Sequence, residues 1–294
     1  MSISMKLRSL GTHDGTFHAD EVVACSLLLL FNCIDRDKVI RSRDPALLSQ
    51  CEYLCDVGGI YDPACKRFDH HQIGYQEGLS SAGMVLLYLK QQGIIDHKIY
   101  DAFNRTLVSG VDAHDNGHAV VEQGVCTFSQ VITNFVPFVY GATSEEIERA
   151  FFEAVDFTHG HLKRFLDRNR YIEQCRGEVE KAMKSRERVL VFDRSLPWMD
   201  LFFDMGGEKH PALFIIMPVG SHWKLRGIPP NLKERMKVRL PLPASWAGLI
   251  GQELENVSGV SGAIFCHKGK FISIWKSKED AFQALKIVLN SVSR

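Results

Sequence analysis

Short strand-like segments alternate with helix-like segments throughout the first half of the chain. Residues 6–13, 38–43 and 51–59 have the short apolar pattern of strands. Residues 19–31 and 80–93 have helical length, the first with an acidic first turn and the second with serine before it and glycine at its end. Strands separated by helices predict a parallel sheet with helices on both faces. We therefore expect an α/β fold.

A helical pattern from 144 to 187 separates this half from a second group of strand signals. These lie at 188–193, 212–220, 223–228 and 261–275, and a final helix is predicted at 278–292. A chain of 294 residues is long enough to form two cores. We expect an α/β domain at 1–143, a helical connector at 144–187 and a smaller α+β domain at 188–294.

The two parts of the chain carry opposite charge although the total is zero. Residues 1–180 hold 17 Lys and Arg against 25 Asp and Glu, and residues 181–294 hold 18 against 10. Such an asymmetry favours different tasks for the two parts.

The sequence predicts a cytoplasmic protein without a membrane segment. No apolar run approaches the roughly 20 residues that span a bilayer, and the first residues lack the core of a signal peptide. The eight cysteines are scattered and form no CxxC pair, which argues against a disulfide framework or a zinc–cysteine site.

Aspartates and histidines cluster at or just beyond the predicted strand ends. The clusters are GTHDGTFHADE (11–21), Asp56 after YLC, KRFDHHQ (66–72) and GVDAHDNGH (110–118), and they include six of the twelve histidines: His13, His18, His70, His71, His114 and His118. Each cluster alone has an ordinary explanation as a cap or a turn. Open α/β sheets bind ligands at the carboxyl ends of their strands, so the clusters together predict one metal site.

Carboxylates and imidazoles without a thiolate suit Mn²⁺, Mg²⁺ or Fe²⁺. The clusters offer more ligands than one ion needs, which suggests two ions bridged by a carboxylate at roughly 3.5–4 Å. Such a pair activates water and neutralises charge on a phosphoryl group.

The order of these motifs resembles that of the DHH phosphoesterase superfamily. THDGTFHADE, DVGGIYDP, RFDHHQ, LSSAG and VDAHDNG are similar, more specifically, to the melanocyte proliferating gene branch, as are RLPLPASWAGL (239–249) and VSGVSGAIFCHKGKF (257–271). The resemblance spans nearly the whole chain.

The resemblance implies two divalent ions, commonly Mn²⁺, bound by aspartates and histidines. By position it nominates as ligands His13, His18, Asp20, Asp56, Asp69, His70 and either Asp112 or Asp115. Asp69, His70 and His71 are the implied catalytic residues. His70 is implied as a ligand or a phosphate contact, and His71 as a residue that supports a ligand or contacts the phosphate; either could assist the leaving group. His18 stands where many relatives have an aspartate, which leaves open the ion it serves.

The branch is described as a 3′–5′ exonuclease that acts on RNA, which implies a hydrolase with an RNA or oligonucleotide substrate and a role in RNA processing. Residues 221–240 carry six Lys and Arg and one Glu, as a phosphate-binding surface would. The expected substrate contacts are Arg41, Arg43, Arg226, Arg239, Trp246 and His267. The Gly-Gly-His typical of many C-terminal domains in the superfamily is missing from this sequence.

Two other functions stay open at this point. One is a small-molecule phosphohydrolase on the same scaffold, acting on pyrophosphate, a cyclic dinucleotide or a bisphosphate. The other is a non-catalytic nucleic-acid-binding protein with structural metals, which the carboxylate-rich ligand set disfavours. The oligomeric state is also open, a homodimer included.

Overall fold

The computed structural model describes residues 5–120 and 122–292. The chain divides into two compact units, residues 1–169 and 170–294, and the division falls within a long helix at Ser144–Gln174. Each unit contains one five-stranded sheet. The expectation of a mixed α/β fold is confirmed.

The sheet of the first unit is parallel except at one edge. Its strands are β1 (Lys6–Thr12), β2 (Val39–Arg41), β3 (Cys51–Cys55), β4 (Tyr61–Asp62) and β5 (Arg67–Phe68). Their order is β2-β1-β3-β5-β4, and only β4 runs antiparallel to its neighbour. The carboxyl ends of β1, β3 and β5 therefore lie along one edge of the sheet, where the aspartate and histidine clusters follow.

Helices pack on this sheet and build the core of the first unit. They are α1 (Ala19–Leu30), α2 (Pro45–Leu48), α3 (Ser81–Gln91), α4 (His97–Phe103), α5 (Ser109–Asp115), α6 (Phe128–Thr133) and α7 (Ser144–Gln174). The first ten residues of α1 are all buried, which explains its continuous apolar run. It packs against α3, α5 and α6, so its N-terminus is fixed beside the strand ends.

The helical stretch from His97 to Asp115 is interrupted. Residues Asn104–Val108 form a π-helical segment between α4 and α5. Such wide turns break the regular i to i−4 ladder. Asp112 and Asp115 lie on α5, the helix that follows this interruption.

The second unit has a mostly antiparallel sheet. Its strands are β6 (Val189–Val191), β7 (Phe214–Val219), β8 (His222–Gly227), β9 (Ala263–Cys266) and β10 (Ile272–Trp275), in the order β6-β7-β8-β10-β9. Only β6 and β7 are parallel. The strand signal at 261–275 is in fact two strands, because the chain turns at 267–271, where Lys270 has a φ of 57°.

The remaining helices are α8 (Arg176–Lys184), α9 (Met199–Asp204), α10 (Gly251–Ser258) and α11 (Lys278–Val292). On one face of the sheet, Leu225 and Trp275 join a core formed with α10 and α11. On the other face, Ile215 and Met217 of β7 join a second core with α8 and α9. Among the described residues, no helix combines the length and apolarity that crossing a membrane requires.

Candidate metal centre

Eight acidic and histidine side chains meet at the strand ends of the first unit. They form three groups, each with one potential ligand atom per residue and all atoms within 4.8 Å of one another. The groups are His13, His18, Glu21 and Asp56; Asp56, His70 and His71; and His18, Asp20 and Asp115. Asp56 and His18 each belong to two groups, so the three form one continuous cluster.

Asp56 lies at the middle of the cluster, directly after β3. Its φ of 56° is left-handed, a conformation that aspartate tolerates better than most residues. Its backbone N–H donates to the carbonyl of Phe68 at 3.0 Å, which fixes the turn against β5. The two carboxylate oxygens consequently face different imidazoles, with Oδ2 3.2 Å from His13 Nε2 and Oδ1 3.4 Å from His70 Nε2.

Asp20 is completely buried in the first turn of α1. Neither of its carboxylate oxygens has a hydrogen-bond partner among the described residues. Burial and the nearby Glu21, Asp56 and Asp115 carboxylates raise its pKa well above the ordinary value. A buried carboxylate without a partner is costly. A bound cation would provide the missing compensation, so the residues present fit a metal ion.

Two histidines lie between these carboxylates. The Asp115 and Asp56 carboxylates, 3.0 and 3.4 Å from Nε2, raise the pKa of His70 to about 10. Burial acts against the charged imidazole of His13, but hydrogen bonds to Asp56 and Glu21 outweigh it and raise its pKa to about 10 as well. Both imidazoles thus take up positive charge that the acidic cluster needs, which a divalent ion would also supply.

Glu21 is a member of the cluster that the sequence analysis missed. Its side chain is completely buried, and Oε1 lies 3.1 Å from His13 Nε2. Its carboxylate also accepts the backbone N–H of His18, at 3.0 and 2.9 Å. Its signal in the sequence is an acidic residue three positions after His18. This is the spacing of a capping box, which by itself indicates only the start of a helix.

Asp69 supports the cluster from outside the three groups. Its Oδ2 accepts the backbone N–H of Gly59 at 2.6 Å. Its Oδ1 accepts the backbone N–H of His71 at 3.0 Å and lies 2.8 Å from the ring Nδ1 of His71. The carboxylate therefore orients His71, whose side chain is 64% exposed.

Asp112 and Asp115 have different environments although they lie one helical turn apart. Asp115 joins the cluster, with Oδ2 3.0 Å from His70 Nε2. Asp112 points instead to the start of α3, where its buried carboxylate accepts hydrogen bonds from Ser80 and Gly83. Of the two candidates, the structure brings only Asp115 to the other predicted ligands.

A cavity of about 400 Å³ opens beside the cluster. Its lining includes predicted site residues and several polar residues that the sequence analysis did not single out as site residues: His18, Asp20, Asp56, His70, His71 and Asp115, with His114, Ser129 and Thr133. A second hollow of about 380 Å³ is lined by residues that include His13, Arg43 and Gly58. Both cavities share His18, Asp56 and His71.

Arg41 and Arg43, the two predicted substrate contacts in the first unit, differ in exposure and in their contacts. Arg41 donates to the carbonyl of Gly15 at 2.7 Å and lies over the ring of Phe151, 4.5 Å from its centroid. Burial lowers its pKa. Arg43 is exposed, lines the second hollow and approaches Asp14 at 3.3 Å. Of the two, only Arg43 has an exposed side chain, and that side chain lies beside Asp14.

Two of the predicted contacts in the second unit serve its interior. Arg239 donates to the backbone carbonyls of Gly207, His210 and Ala212, at 2.7, 2.6 and 2.9 Å. Trp246 is 2% exposed in the core and packs edge-on against Trp275. It is therefore not available to stack on a base.

Arg226 and His267 are accessible in part, and both approach Phe271. The Arg226 guanidinium lies 5.7 Å and the His267 ring 4.4 Å from the Phe271 ring centroid. Arg226 also lies two residues from Lys224, so both side chains point from the same face of β8.

Comparison with known proteins defines the family. Residues 9–289 match the family described as "Uncharacterised protein family (UPF0160)". The chain belongs to this family. A MYG1 protein of Chlamydia pneumoniae is 51% identical, over 96% of this chain and 97% of that protein. Proteins called MYG1 exonuclease from Mus musculus and Homo sapiens are 29% identical over 95% of this chain, covering 84% and 85% of their own lengths. The branch expected from the motifs is thus confirmed.

Among solved structures, RecJ of Thermus thermophilus in complex with Mn²⁺ is similar at 13% identity. The TM-score is 0.29, and the alignment covers 97% of this chain and 52% of RecJ.

Proposed function

We propose that this protein is a divalent-metal-dependent phosphodiesterase of the DHH type, a cytoplasmic 3′–5′ exonuclease that acts on RNA or short oligonucleotides. The observation that carries the proposal is Asp20, whose buried carboxylate has no hydrogen-bond partner among the described residues, lies 4.0 Å from His70 Nε2 and is surrounded by three further carboxylates. The substrate class and polarity rest on the resemblance of the motifs and on the relatives named MYG1 exonuclease.

Two divalent ions, most simply Mn²⁺, would be held by the cluster. The residues that would hold them share overlapping groups of potential ligand atoms: His13, His18, Asp20, Glu21, Asp56, His70 and Asp115. The chemistry that the ions supply when bound is activation of water and neutralisation of charge on the phosphoryl oxygens. The mixture of carboxylates and imidazoles suits Mn²⁺, Mg²⁺ or Fe²⁺.

His71 is the residue best placed to contact the scissile phosphate. Asp69 accepts from Nδ1 of the ring at 2.8 Å, which fixes the tautomer and directs Nε2 away from the carboxylate. The exposed imidazole lines both cavities. It can therefore donate a hydrogen bond to a phosphate oxygen while Asp69 holds its orientation. His114, Ser129 and Thr133 add polar groups to the cavity wall.

The second unit would bind the nucleic-acid backbone. Lys224 and Arg226 lie on one face of β8, and no carboxylate pairs with them in the part of the chain that the structure describes. Phe271 and His267 add rings beside the cations. Proteins that bind single-stranded nucleic acid typically combine basic side chains for the phosphates with aromatic rings that stack on the bases.

Hydrolysis of a 5′-labelled short RNA tests the proposal. Wild-type protein with Mn²⁺ should give a ladder that shortens from the 3′ end, and EDTA should abolish it. Asp20→Asn should slow the reaction by about 10³-fold or more, because metal ions supply several kcal/mol of transition-state stabilisation. Asp96→Asn is the matched control: this exposed aspartate caps α4 by accepting the N–H of Ile99 at 2.8 Å and is no part of the cluster.

Each alternative has its own outcome. Turnover of pyrophosphate or a cyclic dinucleotide with RNA left intact would replace the nuclease by a small-molecule phosphohydrolase. RNA binding without hydrolysis, unchanged by EDTA, would indicate a binding protein. Full activity of Asp20→Asn would contradict the metal site.

A further inference from the structure

We propose that the first turn of α3, Ser80 to Gly83, is a clamp that sets the distance between the two chain segments carrying His70 and Asp115, with Asp112 as its positioning residue. The proposal rests on the metal site proposed above. It assigns a task to the LSSAG motif and to Asp112, neither of which contributes a ligand atom to the cluster.

On one side the clamp holds α5. Asp112 Oδ1 accepts three hydrogen bonds, from the Ser80 backbone N–H at 3.0 Å, the Ser80 hydroxyl at 2.7 Å and the Gly83 backbone N–H at 3.0 Å. The residue is 4% exposed, so little water competes for these donors. A helix N-terminus with unpaired N–H groups favours a negative charge there. The carboxylate therefore ties α5 to α3 firmly.

On the other side the clamp holds the last residue of β5, which the segment with Asp69 and His70 follows. The hydroxyl of Ser81 donates to the carbonyl of Phe68 at 2.8 Å, and Ser81 is completely buried. Phe68 directly precedes Asp69 and His70 in the chain. Ser80 thus holds α5, which carries Asp115, and Ser81 holds the end of β5, which leads to His70. The two side chains come within 3.0 Å of each other.

The rotation of α5 about its axis is not fixed by a regular continuation of α4, so a side-chain anchor on α5 can set it. The π-helical segment Asn104–Val108 precedes α5 and interrupts the regular ladder that would otherwise continue from α4. A side-chain anchor at Asp112, one turn before Asp115, then determines where Asp115 points. Asn116 adds a weaker tie at the end of α5, with Nδ2 3.2 Å from the carbonyl of Gly78.

Gly83 makes the close approach possible. A Cβ atom on this residue would lie 2.3 Å from Asp112 Oδ2, well inside contact distance. The carboxylate can reach the start of α3 only because the third helical residue has no side chain.

The arrangement differs from ordinary helix capping. Ser80 stands at the N-cap of α3, yet its side chain accepts no bond from its own helix and donates to Asp112 instead. Asp112 is 29 and 32 residues away from its two partners in sequence. By contrast Asp96, an ordinary exposed cap, bonds to Ile99 three residues along. Asp112 links two elements, whereas Asp96 stabilises only the start of one.

Titration with Mn²⁺ alone, followed by electron paramagnetic resonance of the free ion, tests the clamp below the unfolding temperature of each variant. Wild type should bind two ions. Asp112→Ala should weaken one of them at least tenfold, since Asp115 and His70 lose their relative placement. Asp112→Asn keeps the Oδ1 acceptor and should restore both ions. Asp96→Ala should bind two ions with wild-type affinity, however much its stability falls.

Two ions of wild-type affinity in Asp112→Ala would overturn the clamp and leave the metal site intact. Failure of wild type to bind Mn²⁺ would overturn the metal site and the clamp together. Should Asp112→Ala not fold, Ser81→Ala removes a single hydrogen bond from the opposite side of the clamp. It should weaken one ion, and equal affinities there would contradict the proposal.

Discussion

The two units satisfy their buried polar groups in different ways. In the second unit, three carbonyls accept from Arg239, and both ring nitrogens of His210 have hydrogen-bond partners, the Met183 carbonyl and the Ala212 N–H. In the first unit, both oxygens of Asp20 lack hydrogen-bond partners within the described residues. The carbonyls around Arg239 have donors within their own unit, whereas the Asp20 carboxylate is left as a ligand of the proposed cation would be. Under the proposed function, the difference separates polar groups that stabilise the fold from groups that bind the ion.

The largest effect that sharpens this comparison is expected from Arg239→Ala. It removes the guanidinium donor from three backbone carbonyls of the second unit. The Gly207 carbonyl still accepts the His210 N–H, and each buried carbonyl left unsatisfied costs about 1–3 kcal/mol. We expect a loss of about 3 kcal/mol in the free energy of unfolding, measured with urea. Mn²⁺ binding by the first unit should not change.

Arg235→Ala is the matched control for that substitution. Arg235 is exposed and pairs with Asp200 and the Leu232 carbonyl at the surface. Its removal should change stability by no more than about 0.5 kcal/mol. Equal stability of the two variants would show that the carbonyl contacts of Arg239 are not structural.

Sequence reasoning reached the fold class and the convergence at the strand ends because both depend on local patterns. Strand and helix periods, turn residues and the rule that parallel strands share a carboxyl edge are visible in the residues themselves. Such patterns correctly placed His13, Asp56 and His70 near one another, at the ends of β1, β3 and β5.

What the sequence could not decide depends on packing between distant segments. Asp112 and Asp115 are equivalent in any local pattern, and only the position of α3 distinguishes them. Arg239 belongs to a basic run and Trp246 lies close to it in sequence, so both were predicted to contact the substrate at the surface. In the structure Trp246 is buried in the core of the second unit, and Arg239 donates to its backbone carbonyls. Burial is a property of the whole fold, and no motif reports it.

A second effect concerns pH, and it should have opposite signs with and without metal. In the metal-free protein, His13 and His70 have pKa values raised from 6.5 to about 10. The stability they contribute is fully present below pH 6.5 and is lost as the pH rises toward 10. A bound ion must displace these protons, so Mn²⁺ affinity should rise with pH over the same range.

Thermal unfolding with EDTA and with Mn²⁺ measures this divergence between about pH 6.5 and about pH 8. At a concentration of about 100 times the Kd, the ion should add about 2.7 kcal/mol. The gain should grow with pH in wild type and be absent in Asp20→Ala. Parallel pH profiles with and without Mn²⁺ would mean that the ion and the protons do not compete for the same groups.

The smallest effect is expected at Lys224 and Arg226, the two cations on one face of β8. Burial lowers the pKa of Lys224, with a smaller contribution from Arg226, and burial also lowers the pKa of Arg226, with a smaller contribution from Arg235. Lys224 and Arg226 are half-buried, repel each other and have no acidic partner among the described residues, which slightly destabilises the protein when no RNA is bound. The phosphates of a bound RNA would offset this repulsion. Arg239 already donates to backbone carbonyls, so we expect no such contribution to binding from it.

Replacing both Lys224 and Arg226 by alanine should therefore raise KM for RNA about tenfold, equivalent to about 1.4 kcal/mol, with kcat unchanged. Stability should stay within about 0.5 kcal/mol of wild type. The double variant Lys233→Ala, Lys237→Ala removes the same charge from exposed positions in the same basic run and is the matched control. A weaker dependence of KM on salt should accompany the first pair, since each lost phosphate contact releases one counterion fewer. If the control pair raises KM as much, binding responds to total charge, and the face of β8 has no special part in it.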